Sequence, residues 1–172
     1  MPPSVRQLRA DEALAYREMR LRALAGAPTA FGTTLAEALQ RSSEWWEARA
    51  VAYAAGDVSV LFVADGPGGL CGMAGGLQTS DHEADVFSMW VDPSARGSGV
   101  AEELLRAVEA WSVAQGALTL HLWVTEGNQS AIRLYERYGF TFTGVSQPHP
   151  SQPLRELQMR RVRNDASGSP AG

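Results

Sequence analysis

Met89-Trp90-Val91-Asp92-Pro93-Ser94-Ala95-Arg96-Gly97-Ser98-Gly99-Val100-Ala101 runs from an apolar strand end, through a proline and two glycines, into an alanine- and leucine-rich segment. Asp92-Pro93 stops the strand, and the glycines let a ligand approach the backbone without meeting a Cβ. The first turn of a helix has unpaired N–H groups and a partial positive charge. The stretch from Arg96 to Ala101 therefore suits a pyrophosphate, and Arg96 can add a charge-assisted contact. A dinucleotide fingerprint would need a third glycine, and Ala101 and Glu102 follow instead. From these residues alone, an ordinary strand-to-helix turn punctuated by glycine reads equally well.

Outward from this turn, residues 84–91 read as the strand before it and residues 99–115 as the helix after it, ended by Gly116. Upstream, residues 58–63 and 70–78 form a hairpin around the turn at 65–69. Downstream, 118–124 reads as a buried strand, 128–138 as a helix closed by Gly139, and 140–145 and 154–162 as the last strands. At the amino end, residues 5–9 alternate like a short strand. Asp11 is a plausible N-cap for a helix to about residue 25, with Leu14, Met19, Leu21 and Leu24 as its apolar stripe. Thr33 and Thr34 open a second helical region that holds Trp45 and Trp46, with Ser42 or Ser43 as a cap. Together these elements predict an α/β fold with a mixed central sheet of about seven strands flanked by about four helices. A single domain is expected over residues 1–163, with a frayed tail at 164–172.

A chain of 172 residues, 45% apolar, is large enough for its own core. Its net charge of −4 gives no electrostatic footprint for nucleic acid or an anionic membrane. All 15 basic residues are arginine, which excludes a phosphate-loop lysine and a Schiff-base lysine. The lone Cys71 reads as a core residue, and no Cys and His pair has metal-ligand spacing. The absence of an apolar leader or an 18-residue apolar run predicts a soluble, cytoplasmic chain.

Two motifs together carry a family resemblance. Met89-Trp90-Val91-Asp92-Pro93 followed by Arg96-x-x-Gly99-x-Ala101 resembles motif A of the GNAT superfamily of N-acetyltransferases. Asn128-x-x-Ala131-x-x-Leu134-Tyr135-x-x-x-Gly139-Phe140 resembles its motif B, at the spacing the family requires. The likeness covers residues 58–145 well and the amino-terminal helices in outline, and it points to the bacterial small-amine type with the acceptor unassigned. It implies acetyl-CoA as co-substrate and direct transfer of the acetyl group to a primary amine in a ternary complex, with no metal.

The resemblance also implies roles. In the family fold, two parallel strands splay apart and the pantetheine arm enters between them. Backbone groups of Met89, Trp90 and Val91 would meet the pantetheine and the thioester carbonyl. Arg96, Gly97, Ser98, Gly99, Val100 and Ala101 would take the pyrophosphate, Asn128 would cap its helix or bond the cofactor, and Tyr135 would protonate the departing thiolate. Tyr138, by its place in the motif, packs. Among Asp81, His82, Glu83 and Asp85, Glu83 is the first candidate to take the amine proton and Asp85 the second; a solvated turn is the plainer reading of each. The subgroup acting on ribosomal protein N-termini has a glutamate five positions before the motif B asparagine, where this chain has Trp123. That departure argues against a protein N-terminus as acceptor, and Trp123 with Trp45 and Trp46 could instead wall a small-molecule site.

Residues 28–34, the Trp45-Trp46 helix and the loop at 147–153 should set acceptor choice, and they carry no readable code. A small amine, an amino acid, an antibiotic or a peptide all fit, and monomer and homodimer are both open. A non-catalytic acetyl-CoA-binding regulatory module is the alternative, against which Tyr135 speaks. A serine hydrolase fails because Gly97-Ser98-Gly99 lacks the Gly-x-Ser-x-Gly spacing and none of His82, His121 and His149 is an evident partner.

Overall fold

The computed structural model describes residues 3–163, so the tail expected at 164–172 lies outside the described residues. In chain order the elements are β1 (Ser4–Gln7), α1 (Ala13–Gly26), a 3₁₀ turn (Pro28–Ala30), α2 (Leu35–Leu39), α3 (Ser43–Ala55), β2 (Ser59–Gly66), β3 (Gly69–Gln78) and β4 (Glu83–Val91). A second 3₁₀ turn (Pro93–Ala95), α4 (Val100–Ala114), β5 (Thr119–Thr125), α5 (Gln129–Tyr138), β6 (Thr141–Pro148) and β7 (Arg155–Val162) complete the fold. The seven strands form one mixed sheet in the order β1-β2-β3-β4-β5-β7-β6. Only β4 and β5 pair in parallel; the other neighbours are antiparallel. The architecture is the mixed α/β sheet that the sequence predicts.

Helices cover both faces. Leu104, Leu105 and Val108 of α4 and Ile132 and Tyr135 of α5 pack with Leu120, Leu122, Val124, Phe140 and Met159. On the other face, Met19, Leu24, Trp46 and Ala50 from α1 and α3 pack against Leu61, Val63 and Met73. Each buried Leu, Ile, Val, Met or Phe side chain among them contributes about 1.5–3 kcal/mol of burial, which fixes the helices on the sheet. Gly75 in β3 serves this packing by close approach: a Cβ there would lie 2.4 Å from Cζ of Phe87, so only glycine lets that ring lie over the strand.

The amino-terminal helices differ from expectation in three details. Asp11 is not the N-cap of α1; Glu12 holds that position and makes no capping bond. Its carboxylate is drawn back to β1 instead, accepting from Arg6 at 2.7 and 2.8 Å and from the Arg9 backbone N–H at 2.8 Å. Leu14 does not join the buried stripe and is 67% exposed, because Tyr16, Met19 and Ala23 take the helical face toward the sheet. The second helical region is two helices, α2 capped by Thr34 through a capping box with Glu37, and α3 capped by Ser42.

The Arg6 hydrogen bonds hold the Glu12 carboxyl at about 2, against an ordinary value of 4.5. A depressed carboxyl stabilises the fold fully above its unfolded value and loses that contribution as pH falls through the folded one. Glu12→Gln should therefore cost about 1 kcal/mol at pH 7 in urea denaturation. The gap between variant and parent should close as pH falls from 4.5 toward 2.

Candidate active site

The parallel strands part midway. Pairing of β4 with β5 runs over Glu83–Thr119, Ala84–Leu120 and Asp85–His121 and then stops. Both strands continue, because β3 holds β4 as far as Val91 and β7 holds β5 as far as Thr125. Their facing edges beyond Asp85 and His121 present backbone N–H and C=O groups without a strand partner, and such groups require one. A bulge helps open this wedge. From Phe87 to Trp90, β4 spends one more residue than β3 spends from Met73 to Gly75, and Ser88 sits at φ 52°. Arg20 pins the bulge by donating to Ser88 Oγ at 2.7 Å. Met89, Trp90 and Val91 follow it along the open edge; Trp90 and Val91 bury their side chains, so what they offer the wedge is backbone.

The glycine turn follows directly. Asp92 caps the 3₁₀ turn by accepting from Ser94 N–H at 2.9 Å and Ser94 Oγ at 2.7 Å. Gly97 and Gly99 are both left-handed, at φ 76° and 83°, and a Cβ on either would meet nothing within 4 Å. Gly99 is the N-cap of α4 and supplies no side chain, so the first N–H groups of that helix face outward. Ser98 Oγ donates to the Ala95 carbonyl at 2.5 Å and is thereby engaged in the turn itself. Arg96 is exposed, with Nε on the Val91 carbonyl at 3.2 Å. Val100, the first residue of α4, is buried, and Ala101 lies half-buried beside it.

On the α4 and α5 side, Asn128 caps α5 by accepting at Oδ1 from Ala131 N–H at 3.4 Å. This occupies the carbonyl end of its amide and leaves the NH₂ end for another acceptor. Tyr135 is 6% exposed, packs edge-on to Phe140 at 5.9 Å between centroids, and shares a cluster with Val91 and Val124, the ends of the two parting strands. Burial pushes its phenol well above the ordinary value of 10. Tyr138 packs under Arg161, whose Cζ is 5.1 Å from the ring centre, and burial raises its phenol to about 12. Cys71 is buried, and burial, with Asp92 and Asp65 nearby, raises its thiol.

The opposite face carries the remaining candidates. Strand alternation puts Glu83 and Asp85 on the same side as Phe87, and His121 and Trp123 on the same side as Thr125. Glu83 is exposed at the head of β4, whereas Asp85 is half-buried. Burial raises the Asp85 carboxyl, the neighbouring His121 opposes the shift and Glu83 adds to it. Two of the segments expected to set acceptor choice meet here: the Thr29 carbonyl accepts from Thr125 Oγ1 at 2.6 Å and from the His149 ring at 2.9 Å. Between α1, α2, α3 and β4 lies a cavity of about 270 Å³, lined by residues that include Tyr16, Arg20, Arg41, Trp45, Trp46, Arg49, Tyr53, Phe87 and Ser88. Trp123 is not among its lining residues.

Comparison with known proteins fits this wedge. The profile of the acetyltransferase (GNAT) family matches residues 22–140, from the middle of α1 through the parting strands and the glycine turn to Phe140. The chain belongs to the acetyltransferase (GNAT) family. It is 31% identical over 139 residues to a mycothiol acetyltransferase of Thermomonospora curvata, covering 81% of this chain and 44% of that protein. The chain thus spans less than half the length of this curated relative. An acetyltransferase of the GNAT family from Streptococcus pneumoniae superposes with a TM-score of 0.76 at 20% identity, over 94% of this chain and 99% of the other. A GNAT superfamily phosphinothricin acetyltransferase from Sinorhizobium meliloti, solved with acetyl-CoA, also gives 0.76, at 18% identity over 97% and 91%. These two likenesses establish the GNAT fold.

Motif residues of this GNAT chain cluster around the wedge, whereas the cavity residues are not in the motifs at all. Tyr16, Arg20, Arg49 and Tyr53 carry only a spacing signal: Tyr16 and Arg20 are four apart on α1, and Arg49 and Tyr53 four apart on α3, so each pair shares a helix face. Ser88 carries none, since a bulge leaves no mark in an apolar strand. Among the described residues, no three His, Cys, Asp or Glu side chains converge as ligands for a metal ion, and no helix is long and apolar enough to cross a membrane.

Proposed function

We propose that this chain moves an acetyl group from acetyl-CoA to a primary amine by direct transfer, with residues 1–163 acting as one acetyltransferase domain. The observation that carries the reading is the wedge: two parallel strands that stop pairing at Asp85 and His121 yet run on, with the bare N-terminus of α4 beside them. A pantetheine arm has the amides to pair with the free edges like an added strand. Met89 and Val91 pair with it, and an N–H at Met89 or Trp90 polarises the thioester carbonyl. Arg96, Gly97, Ser98, Gly99, Val100 and Ala101 hold the pyrophosphate through the helix terminus and the arginine.

On this reading the free NH₂ of Asn128 serves the cofactor, and Tyr135, kept neutral by burial, protonates the leaving thiolate. A half-buried carboxylate with a raised pKa is a better proton acceptor than an exposed one, which favours Asp85 over Glu83 for the amine proton. The acceptor-side cavity, about 270 Å³ and at the small end for ligand sites, favours a small-molecule acceptor.

A ligand that binds only the folded chain raises its melting temperature with concentration. Acetyl-CoA should produce such a rise and NAD should not; an unmoved transition at millimolar acetyl-CoA would remove the reading. Arg96→Ala should weaken acetyl-CoA binding by about tenfold in calorimetric titration, the loss of one charge-assisted bond from an exposed side chain.

A further inference from the structure

The cavity between α1, α2, α3 and β4 has three arginines and no carboxylate among its lining residues. Among the described residues, Arg20, Arg41 and Arg49 make no salt bridge. Arg20 is half-buried; its Cζ lies 4.5 Å from the Phe31 ring centre, and one N–H goes to Ser88 Oγ. A guanidinium has five donors and stays charged, so most of its donors there await acceptors. Arg41 and Arg49 stack on Trp45, at 4.8 and 4.9 Å from ring centres, which holds their charges at the cavity rim. A separate observation points the same way. Trp46, 2% exposed and lining the same cavity, has its indole N–H buried without a hydrogen-bond acceptor. An indole N–H can only donate. In a chain of net charge −4, a pocket of unpaired donors and cations is a local inversion of sign.

We propose that the acceptor is a small amino acid-like molecule whose carboxylate, or an equivalent oxyanion, is bound by Arg20, Arg41, Arg49 and the Trp46 indole N–H while its amine faces the bulge at Ser88. The proposal rests on the acetyl-transfer reading and specifies its acceptor. The cavity's small volume matches such a molecule. The arginines also act on the amine: like charges nearby disfavour the ammonium, so its proton leaves more easily to Asp85 or solvent. The freed lone pair forms the C–N bond at the thioester carbon, the C–S bond breaks, the nitrogen sheds its second proton, and the sulfur leaves with its electron pair and takes one up. The products are an N-acetyl amide and CoA.

The test uses matched pairs, phenylalanine with phenethylamine and leucine with isoamylamine, in two assays on the full chain: binding by calorimetric titration without acetyl-CoA, and turnover by thiol release with it. The carboxylated member of a pair should bind at least tenfold more tightly, and turn over with at least tenfold higher kcat/KM, the effect of charge-assisted bonds. Arg20→Met should abolish the preference. Arg49→Gln, at an exposed position, should reduce it and keeps the test valid if the Arg20 variant fails to fold. Equal or better binding of the decarboxylated amines, a preference for a peptide N-terminus, or unchanged ratios in both variants would overturn the proposal and leave acetyl transfer standing. Arginine-dependent binding of the carboxylated members with no thiol release from any amine would instead support the anion site and overturn acetyl transfer.

Discussion

Tyr135→Phe is expected to lower kcat by about 10²-fold while the acetyl-CoA Kd stays close to the parent's. The ring packs edge-on to Phe140 and is 6% exposed, so the variant keeps the packing and loses only the hydroxyl. That hydroxyl is held neutral by burial, since its phenol lies well above 10, and it therefore remains a donor throughout the range in which an amine is free to attack. A proton delivered as the C–S bond breaks is an interaction of the transition state, which raises kcat without tightening binding. Steady-state kinetics with a saturating amine, after a burst experiment has shown chemistry to be rate-limiting, read the effect. An unchanged kcat would take the role from Tyr135. A loss confined to the acetyl-CoA Kd would make Tyr135 a packing residue of the wedge.

Gly99→Val should weaken acetyl-CoA binding by about 10²-fold or more through two separable effects. At φ 83°, a β-branched residue is strained by about 1–2 kcal/mol, which should lower the melting temperature by a few degrees. The second effect is on the ligand alone. Apart from its chain neighbours, no protein atom lies within 4 Å of the Cβ position, so a side chain there projects into open space at the approach to the α4 N-terminus. Gly99→Ala shares the strain but not the bulk, and its Kd should fall between the parent and the valine variant. If Gly99→Val bound acetyl-CoA like the parent despite its lower melting temperature, the pyrophosphate would have to lie elsewhere.

The stretch from β4 to α5 was legible because its punctuation is local. Asp92-Pro93 ends a strand, Gly97 and Gly99 adopt left-handed conformations before α4, and Asn128 and Gly139 bracket α5 with a side-chain cap and a left-handed glycine. The start of α1 was not legible, because Glu12 is held by Arg6, which a distant Asp65 on β2 also engages at 2.6 Å. That competition between capping and tertiary pairing has no trace in the sequence around Asp11. The acceptor cavity was hidden for a related reason. Arg20 acquires its meaning from Phe31 and from Ser88, 68 residues away at a bulge, and Trp46 from losing every acceptor once α1 and α3 close over it. Glu83 and Asp85 look alike in the sequence, and only strand pairing distinguishes an exposed carboxylate at the strand head from a half-buried one beside His121.

The most direct test of acetyl transfer is simultaneous measurement of thiol release and N-acetyl product, the latter by mass spectrometry, when the full chain is given acetyl-CoA and a panel of amines with and without carboxylates. An active amine should release thiol and yield acetylated product in equal amounts, and Tyr135→Phe should slow both together. Tight acetyl-CoA binding with no acetylated product from any amine would contradict the account and leave the chain as a cofactor-binding regulatory module.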